Sequence, residues 1–340
     1  MKHTVKWGII GLGNIAVEFA KSFNNVDNAD LIAVASTTHQ KLAKFKQEFN
    51  IKEENLYNNY EKLIENKNID IIYIALPNTF HFDWVLKNIE KKRNILVEKP
   101  AFLSSREANL IFNHQNFKNI FFNEGFMYRY HPQILEVIKI IKSEVLGKTV
   151  SMKSNFGINL IKTKFFGLIK KKIDRNNRLF NKNLGGGVIL DLGCYTTSMS
   201  LLIASILENI NINNFKMSNI ETQYLFSNID VQSSAKIIFD EKFTSEIFTS
   251  FKKNSNETII LCEEGKIIIR NSWNTKITEV ELSGKINKKI SFESYKNNYS
   301  LEIEQISKDI IENKKEVSFP GFNNKDTLVN TKLIENWLNG

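Results

Sequence analysis

Short apolar runs of strand length alternate with longer runs of mixed polarity through the first third of the chain. Val5 to Ile10, Leu31 to Ala35, Asp70 to Ala75, Asn94 to Val97 and Asn119 to Asn123 read as strands. Ala16 to Phe23, Lys41 to Phe49, Tyr60 to Asn66, Thr79 to about Lys91 and Ser104 to Asn116 read as the helices between them. Strands that alternate with helices predict an α/β domain with a doubly wound parallel sheet. After Glu124 the pattern changes. A segment rich in functional groups, Glu124 to Gln133, leads into a helix through about Lys142. Val150 to Phe156, Ile220 to Phe226, Ser234 to Phe239, Glu246 to Phe251, Thr258 to Cys262 and Lys266 to Arg270 then read as strands, several joined by short turns. That spacing predicts an α+β domain built on a largely antiparallel sheet, so the chain divides into domains at 1–124 and 125–340.

The turn after the first strand, Gly11-Leu12-Gly13-Asn14-Ile15-Ala16, has the form G-x-G-x-x-A with a strand before it and a helix after it. In that context the first glycine permits the tight turn and Gly13 lets backbone approach a pyrophosphate. Ala16 allows close helix packing, and the helix N-terminus, with Asn14 and Ile15, faces the phosphates. The second strand ends in Ser36-Thr37-Thr38, with His39 and Lys41 beyond. A carboxylate there would select NAD through the ribose 2′-OH, whereas hydroxyls and a cation favour a 2′-phosphate, so the cofactor reads as NADP or NAD with NADP favoured. The third strand ends in Leu76-Pro77-Asn78, followed by His81, where the nicotinamide half of the dinucleotide is expected.

Asn94 to Val97 continues into Glu98-Lys99-Pro100. Ligands of open parallel sheets bind beyond the carboxyl ends of the strands, which puts Lys99 where chemistry is expected, and Pro100 biases Lys99 toward extended geometry. A second glycine cluster, Gly185-Gly186-Gly187, feeds an apolar helix carrying Asp191 and Tyr195. Four residues apart on a helix, these two share a face, and neither is buried cheaply without a partner. A structural Asp–Tyr hydrogen bond and a catalytic pair are both open on this spacing.

Composition narrows the reading. With 42% hydrophobic and 24% charged residues, the 340-residue chain is of ordinary globular type, and its apolar runs are far shorter than the roughly 20 residues of a membrane span. Met1-Lys2-His3-Thr4 leads into a glycine-broken run and not a signal-peptide core, so a cytoplasmic location is the default. Cys194 and Cys262 have no metal-ligand spacing, which argues against a disulfide framework and a structural zinc site. The net charge of +9 comes from lysines scattered along the chain, so neither nucleic acid nor a membrane surface is expected as a partner. One local exception is the basic stretch of Lys162, Lys164, Lys170, Lys171, Lys172, Arg175 and Arg178. Seven of the 15 glycines fall in the stretches Gly8 to Gly13 and Gly185 to Gly193, which marks both as places of tight turning or ligand approach.

Taken together, Gly11 to Ala16, Pro77 to His81, Glu98-Lys99-Pro100, Glu124 to Gln133 and Leu184 to Tyr195 resemble the glucose-fructose oxidoreductase and inositol dehydrogenase (Gfo/Idh/MocA) family, in the family's order. They lie nearest the branch of dimeric dihydrodiol dehydrogenase and sugar dehydrogenases. The resemblance implies a Rossmann domain followed by an open-faced sheet domain that forms a homodimer or homotetramer. It also implies NAD(P)-dependent hydride transfer at a secondary alcohol or ketone of a sugar or cyclic polyol. It carries the role of proton donor or acceptor onto Tyr195, of neighbouring cation onto Lys99 and of orienter onto Asp191. Whether Tyr195 or Lys99 moves the proton stays open. Arg129 and His131 are candidates for substrate contacts together with Lys99, Asp191 and Tyr195, while Glu98 and Lys99 count among the cofactor contacts, Glu98 on its place in the motif alone. Two departures stand out: Tyr195 replaces the histidine of the inositol dehydrogenase branch, and Thr37 replaces the arginine often found in NADP-dependent members. The competing expectation is a non-catalytic dinucleotide-binding sensor of the same fold.

Overall fold

A computed structural model describes residues 4–161, 163–164, 169–170, 173–273, 277–293 and 296–340. Met1, Lys2 and His3, and Lys162, Lys171 and Lys172 of the basic stretch, lie outside the described residues. The chain forms two compact units.

The first comprises Met1–Tyr130 and Tyr295–Leu328. Its N-terminal part runs β1 (Val5–Ile10), α1 (Asn14–Ser22), β2 (Ala29–Ala35), α2 (His39–Phe49), β3 (Leu56–Tyr57), α3 (Tyr60–Glu65), β4 (Ile71–Ile74), α4 (His81–Glu90), β5 (Asn94–Glu98), α5 (Ser105–Phe112) and β6 (Phe122–Gly125). The strands are all parallel, in the order β3-β2-β1-β4-β5-β6. This is the doubly wound order of dinucleotide-binding sheets, with its switch point between β1 and β4. Side chains alternate between two cores, as a strand's period of two requires. Trp7, Ile9, Ile71, Tyr73 and Leu96 pack on one face with Phe19 of α1. Ile10, Ile72, Ile74, Ile95 and Val97 pack on the other with Val85, Ile89, Ala108 and Ile111 of α4 and α5. Burial on both faces explains why these strands read as nearly unbroken apolar runs.

The expected division at 124/125 differs from the observed one, because the chain returns to this sheet. Helix Asn298–Ile311 places Ile303 and Ile306 in the same core as Trp7 and Phe19. Trp7 Nε1 donates to Ser307 Oγ at 3.0 Å, and Ser300 Oγ donates to the Ser22 carbonyl at 2.8 Å. One face of the sheet thus needs a helix that the sequence delivers almost at its end. β6 also starts later than its apolar run, since Phe117–Asn119 forms a 3₁₀ turn.

The second unit comprises His131–Ser294 and Val329–Gly340. It contains α6 (Pro132–Lys142), β7 (Thr149–Gly157), β8 (Thr163–Lys164), β9 (Ile169–Lys170), α7 (Cys194–Ile206), β10 (Phe215–Leu225), β11 (Ile229–Phe239), β12 (Phe243–Ser250), β13 (Ser255–Cys262), β14 (Gly265–Arg270), β15 (Ile277–Gly284) and β16 (Lys288–Glu293). Eight strands form one sheet in the order β10-β11-β12-β7-β13-β14-β15-β16, antiparallel except where β7 meets β12. The sheet is therefore largely antiparallel, as the strand spacing predicts. Cross-strand ion pairs, Lys153 with Glu246 at 2.7 Å and Arg270 with Glu257 at 2.6 Å, mark its polar face. The 25-residue run Lys182–Ile206 is long and apolar enough to cross a membrane by length and composition, which the shorter runs read from the sequence do not anticipate. In the structure 94% of its most apolar window is buried, as in a core helix.

Candidate cofactor and catalytic sites

At the switch point of the first sheet, β1 hands over to α1 through Gly11 and Gly13. Gly11 has φ +88°, and a Cβ there would lie 2.6 Å from the Ala75 carbonyl at the end of β4, so only glycine fits. Gly13 differs in kind: a Cβ placed on it meets nothing within 4 Å. It is the N-cap of α1, in extended conformation, and no side chain caps the first turn at Asn14 and Ile15. Open space above bare backbone at a helix N-terminus suits a pyrophosphate, so these residues fit the cofactor that the motif implies.

At the end of β2, Ser36 is buried, and its Oγ accepts from the Thr38 N–H at 3.2 Å. Thr37 and Lys41 are exposed and Thr38 half-buried, so hydroxyls and a cation stand at the rim where a ribose or its 2′-phosphate would lie.

Leu76 and Pro77 are half-buried and Asn78 buried at the end of β4. His81 turns both ring nitrogens toward backbone carbonyls. It is fully buried, with Nδ1 2.8 Å from the Pro100 carbonyl and Nε2 2.8 Å from the Leu76 carbonyl, and so works as a staple between two loops. Glu98 is buried as well. It accepts a hydrogen bond from the Tyr73 hydroxyl through Oε1 and one from the Lys99 N–H through Oε2 at 3.2 Å. Both residues read as cofactor contacts in the sequence, and both hold the backbone around Lys99. Lys99 itself is half-buried at the end of β5.

In the second unit Asp191 and Tyr195 lie on one continuous helical run. Ile189–Gly193, which includes Asp191, is a π-helical turn ahead of α7, so the regular α-helical spacing assumed from the sequence does not hold there. Such turns are frequent at functional sites. Asp191 Oδ1 accepts from Arg178 Nη2 at 2.9 Å, which gives one member of the basic stretch a defined partner. Tyr195 is buried edge-on to Phe156 at 5.3 Å and beside Trp273 at 5.6 Å. The run starts from a residue that sequence reasoning missed: Asp230 of β11 is buried, and its Oδ2 accepts from the Ile189 N–H at 2.7 Å. Burial pushes its carboxyl above the ordinary range. Gly187, at φ +119°, leaves room for it, since a Cβ there would lie 2.1 Å from Asp230 Oδ1.

Arg129 and His131, the candidates for substrate contacts, are both buried. Arg129 is 1% exposed in the first unit, donates to Asp326 Oδ2 at 2.7 Å and lies over the Phe322 ring. His131, in the second unit, is the N-cap of α6, its Nδ1 accepting from the Gln133 N–H at 3.1 Å. Burial lowers its pKa, and the accepting Nδ1 assigns the proton of the neutral ring to Nε2.

Residues 5–122 match a family model described as an oxidoreductase family with an NAD-binding Rossmann fold. Among curated proteins, the chain is 28% identical over 200 residues to a trans-1,2-dihydrobenzene-1,2-diol dehydrogenase of Xenopus tropicalis, covering 58% of this chain and 56% of that one. It is 27% identical over 245 residues to a D-xylose 1-dehydrogenase (NADP(+)) of Haloferax volcanii, covering 72% and 69%. The first of these alignments thus spans little more than half of the relative's length. Among solved structures, an aldose-aldose oxidoreductase from Caulobacter crescentus complexed with glycerol superposes with a TM-score of 0.83 at 19% identity, covering 98% of this chain and 96% of that one. A 3-ketoreductase from Actinomadura kijaniata, in complex with NADP and TDP-benzene, gives 0.83 at 16% identity over the same shares. These likenesses show the same fold.

Proposed function

We propose that the chain is a member of the Gfo/Idh/MocA family of oxidoreductases, an NAD(P)-dependent dehydrogenase or reductase acting on a secondary alcohol or its ketone in a sugar or cyclic polyol. The observation that carries this reading is the switch-point loop, where Gly13 leaves bare backbone open at the start of α1. Relatives named for diol and D-xylose dehydrogenation support the substrate class. The name of the Haloferax relative, together with Thr37, Thr38 and Lys41 at the end of β2, supports NADP over NAD.

The bound nicotinamide would supply or take the hydride. The chain's own task is the proton. In reduction the carbonyl oxygen gains negative charge and needs a proton at the same atom; in oxidation the hydroxyl must lose one. A phenol with an ordinary pKa near ~10 does this at neutrality only beside a cation that stabilises phenolate. In our reading Tyr195 exchanges the proton, Lys99 is the cation and Asp191, already paired with Arg178, orients the group. The thiols of Cys194 and Cys262 fit a reducing, cytoplasmic setting. Assembly as a homo-oligomer through the sheet of the second unit follows from family resemblance.

The test is steady-state kinetics on a panel of sugars, inositols and their keto forms with both cofactors. Lys99→Met and Tyr195→Phe are each expected to lower kcat by about 100-fold or more while NADPH still binds. Near-normal turnover in either variant removes that residue from the mechanism, and a higher kcat/KM with NAD than with NADP overturns the cofactor assignment.

A further inference from the structure

β5 ends at Glu98, where its register with β6 also ends, so the Lys99-Pro100-Ala101 peptide lies beyond the ladder. Three of its backbone polar atoms are taken up by side chains from three different elements. The Lys99 N–H donates to Glu98 Oε2 at 3.2 Å. The Pro100 carbonyl lies 2.8 Å from His81 Nδ1, at the start of α4. The Ala101 N–H donates to Glu124 Oε1, on β6, at 2.9 Å. Glu98, His81 and Glu124 are 7%, 0% and 2% exposed, so water does not compete for any of these bonds.

Each clamp member is itself held. The Tyr73 hydroxyl on β4 donates to Glu98 Oε1, and the Tyr73 ring stacks on Phe19 at 3.8 Å. His81 also reaches the Leu76 carbonyl at 2.8 Å, which ties the loop after β4 to the loop after β5. Catalytic groups need support of this kind, because a misplacement of about 1 Å costs about 100-fold in rate.

We propose that Glu98, His81 and Glu124 are positioning residues that fix the Lys99-Pro100-Ala101 peptide and thereby set the direction of the Lys99 side chain. The inference rests on the catalytic role proposed for Lys99. It gives the glutamate of the Glu98-Lys99-Pro100 motif a task distinct from cofactor contact, and it gives one to Glu124, which opens the Glu124 to Gln133 motif and had no role from the sequence.

The experiment compares Glu124→Ala and Glu124→Gln with the unaltered protein in three readouts. These are amide hydrogen exchange across 96–103 without cofactor, NADPH affinity by nicotinamide fluorescence, and kcat. Glu124→Ala is expected to speed exchange at the Ala101 amide and lower kcat by about 100-fold, with NADPH affinity unchanged. Glu124→Gln, which keeps an acceptor, is expected to restore protection and most of kcat. Should Glu124→Ala fail to fold, His81→Gln and His81→Ala are compared in the same way around Pro100. Unchanged exchange at Ala101 in a folded Glu124→Ala protein overturns the clamp, as does a loss of kcat no larger than the loss of folded protein. If exchange responds as expected but the unaltered protein turns over no sugar or ketone with either cofactor, the clamp stands and the proposed activity falls.

Discussion

Glu124 is the residue whose behaviour follows most directly from its surroundings. Burial pushes its carboxyl up to about 7, against the opposing pull of the Ala101 N–H and Arg129. An unfolded glutamate titrates near ~4.3, so between these values the folded protein binds more protons than the unfolded one. Stability therefore falls as pH rises through that window and levels off above about 7. The full effect is on the order of 4 kcal/mol at most. Glu124→Gln removes the titration: denaturant midpoints measured from pH 5 to pH 8 should converge with the unaltered protein at the acid end and exceed it at the alkaline end. Parallel curves would contradict the assignment. Arg129 shows what a sequence hides at this scale. An arginine among aromatic residues reads as a ligand, yet its partner Asp326 is 197 positions away, and both are removed from solvent. No local spacing reports that pairing.

At the scale of elements, the glycine run before Asp191 is legible as a helix entry because three glycines in a glycine-poor chain mark a backbone under constraint. The source of the constraint is not legible. Asp230 arrives from β11 and caps the run at Ile189, and Gly187 is required because that carboxylate fills the space a Cβ would take. Asp230→Ala should destabilise the second unit by about 1–2 kcal/mol, the usual range for a lost cap, with Asp230→Asn costing less. Gly187→Ala should cost at least as much. Both are measured by chemical denaturation, with NADPH titration as the control, since the dinucleotide loop belongs to the first unit. An unchanged midpoint for Asp230→Ala would contradict the capping role. The π-helical turn at Ile189–Gly193 was equally beyond the pattern, because apolar spacing alone does not distinguish it from an α-helix.

Over the whole molecule, the parallel sheet and its nucleotide loop are written into the sequence, since alternating runs and a glycine motif between strand and helix are local signals. The antiparallel sheet is legible through β14, while β15 and β16 and the C-terminal helices Asn298–Ile311 and Asn324–Asn339 lack turn signals strong enough to isolate them. The return of Asn298–Ile311 to the first sheet is a tertiary fact, fixed by Ile303 and Ile306 meeting the core around Trp7. The central claim is that this fold moves a hydride and does not merely hold a dinucleotide. The most direct measurement uses NADPH deuterated at the nicotinamide C4 position, incubated with keto-sugars and keto-inositols, and follows the label by mass spectrometry. Deuterium on the reduced carbon, abolished by Lys99→Met in protein that still binds NADPH, is the predicted result. Tight NADPH binding with no label transferred to any member of the panel would contradict the claim and leave a dinucleotide sensor.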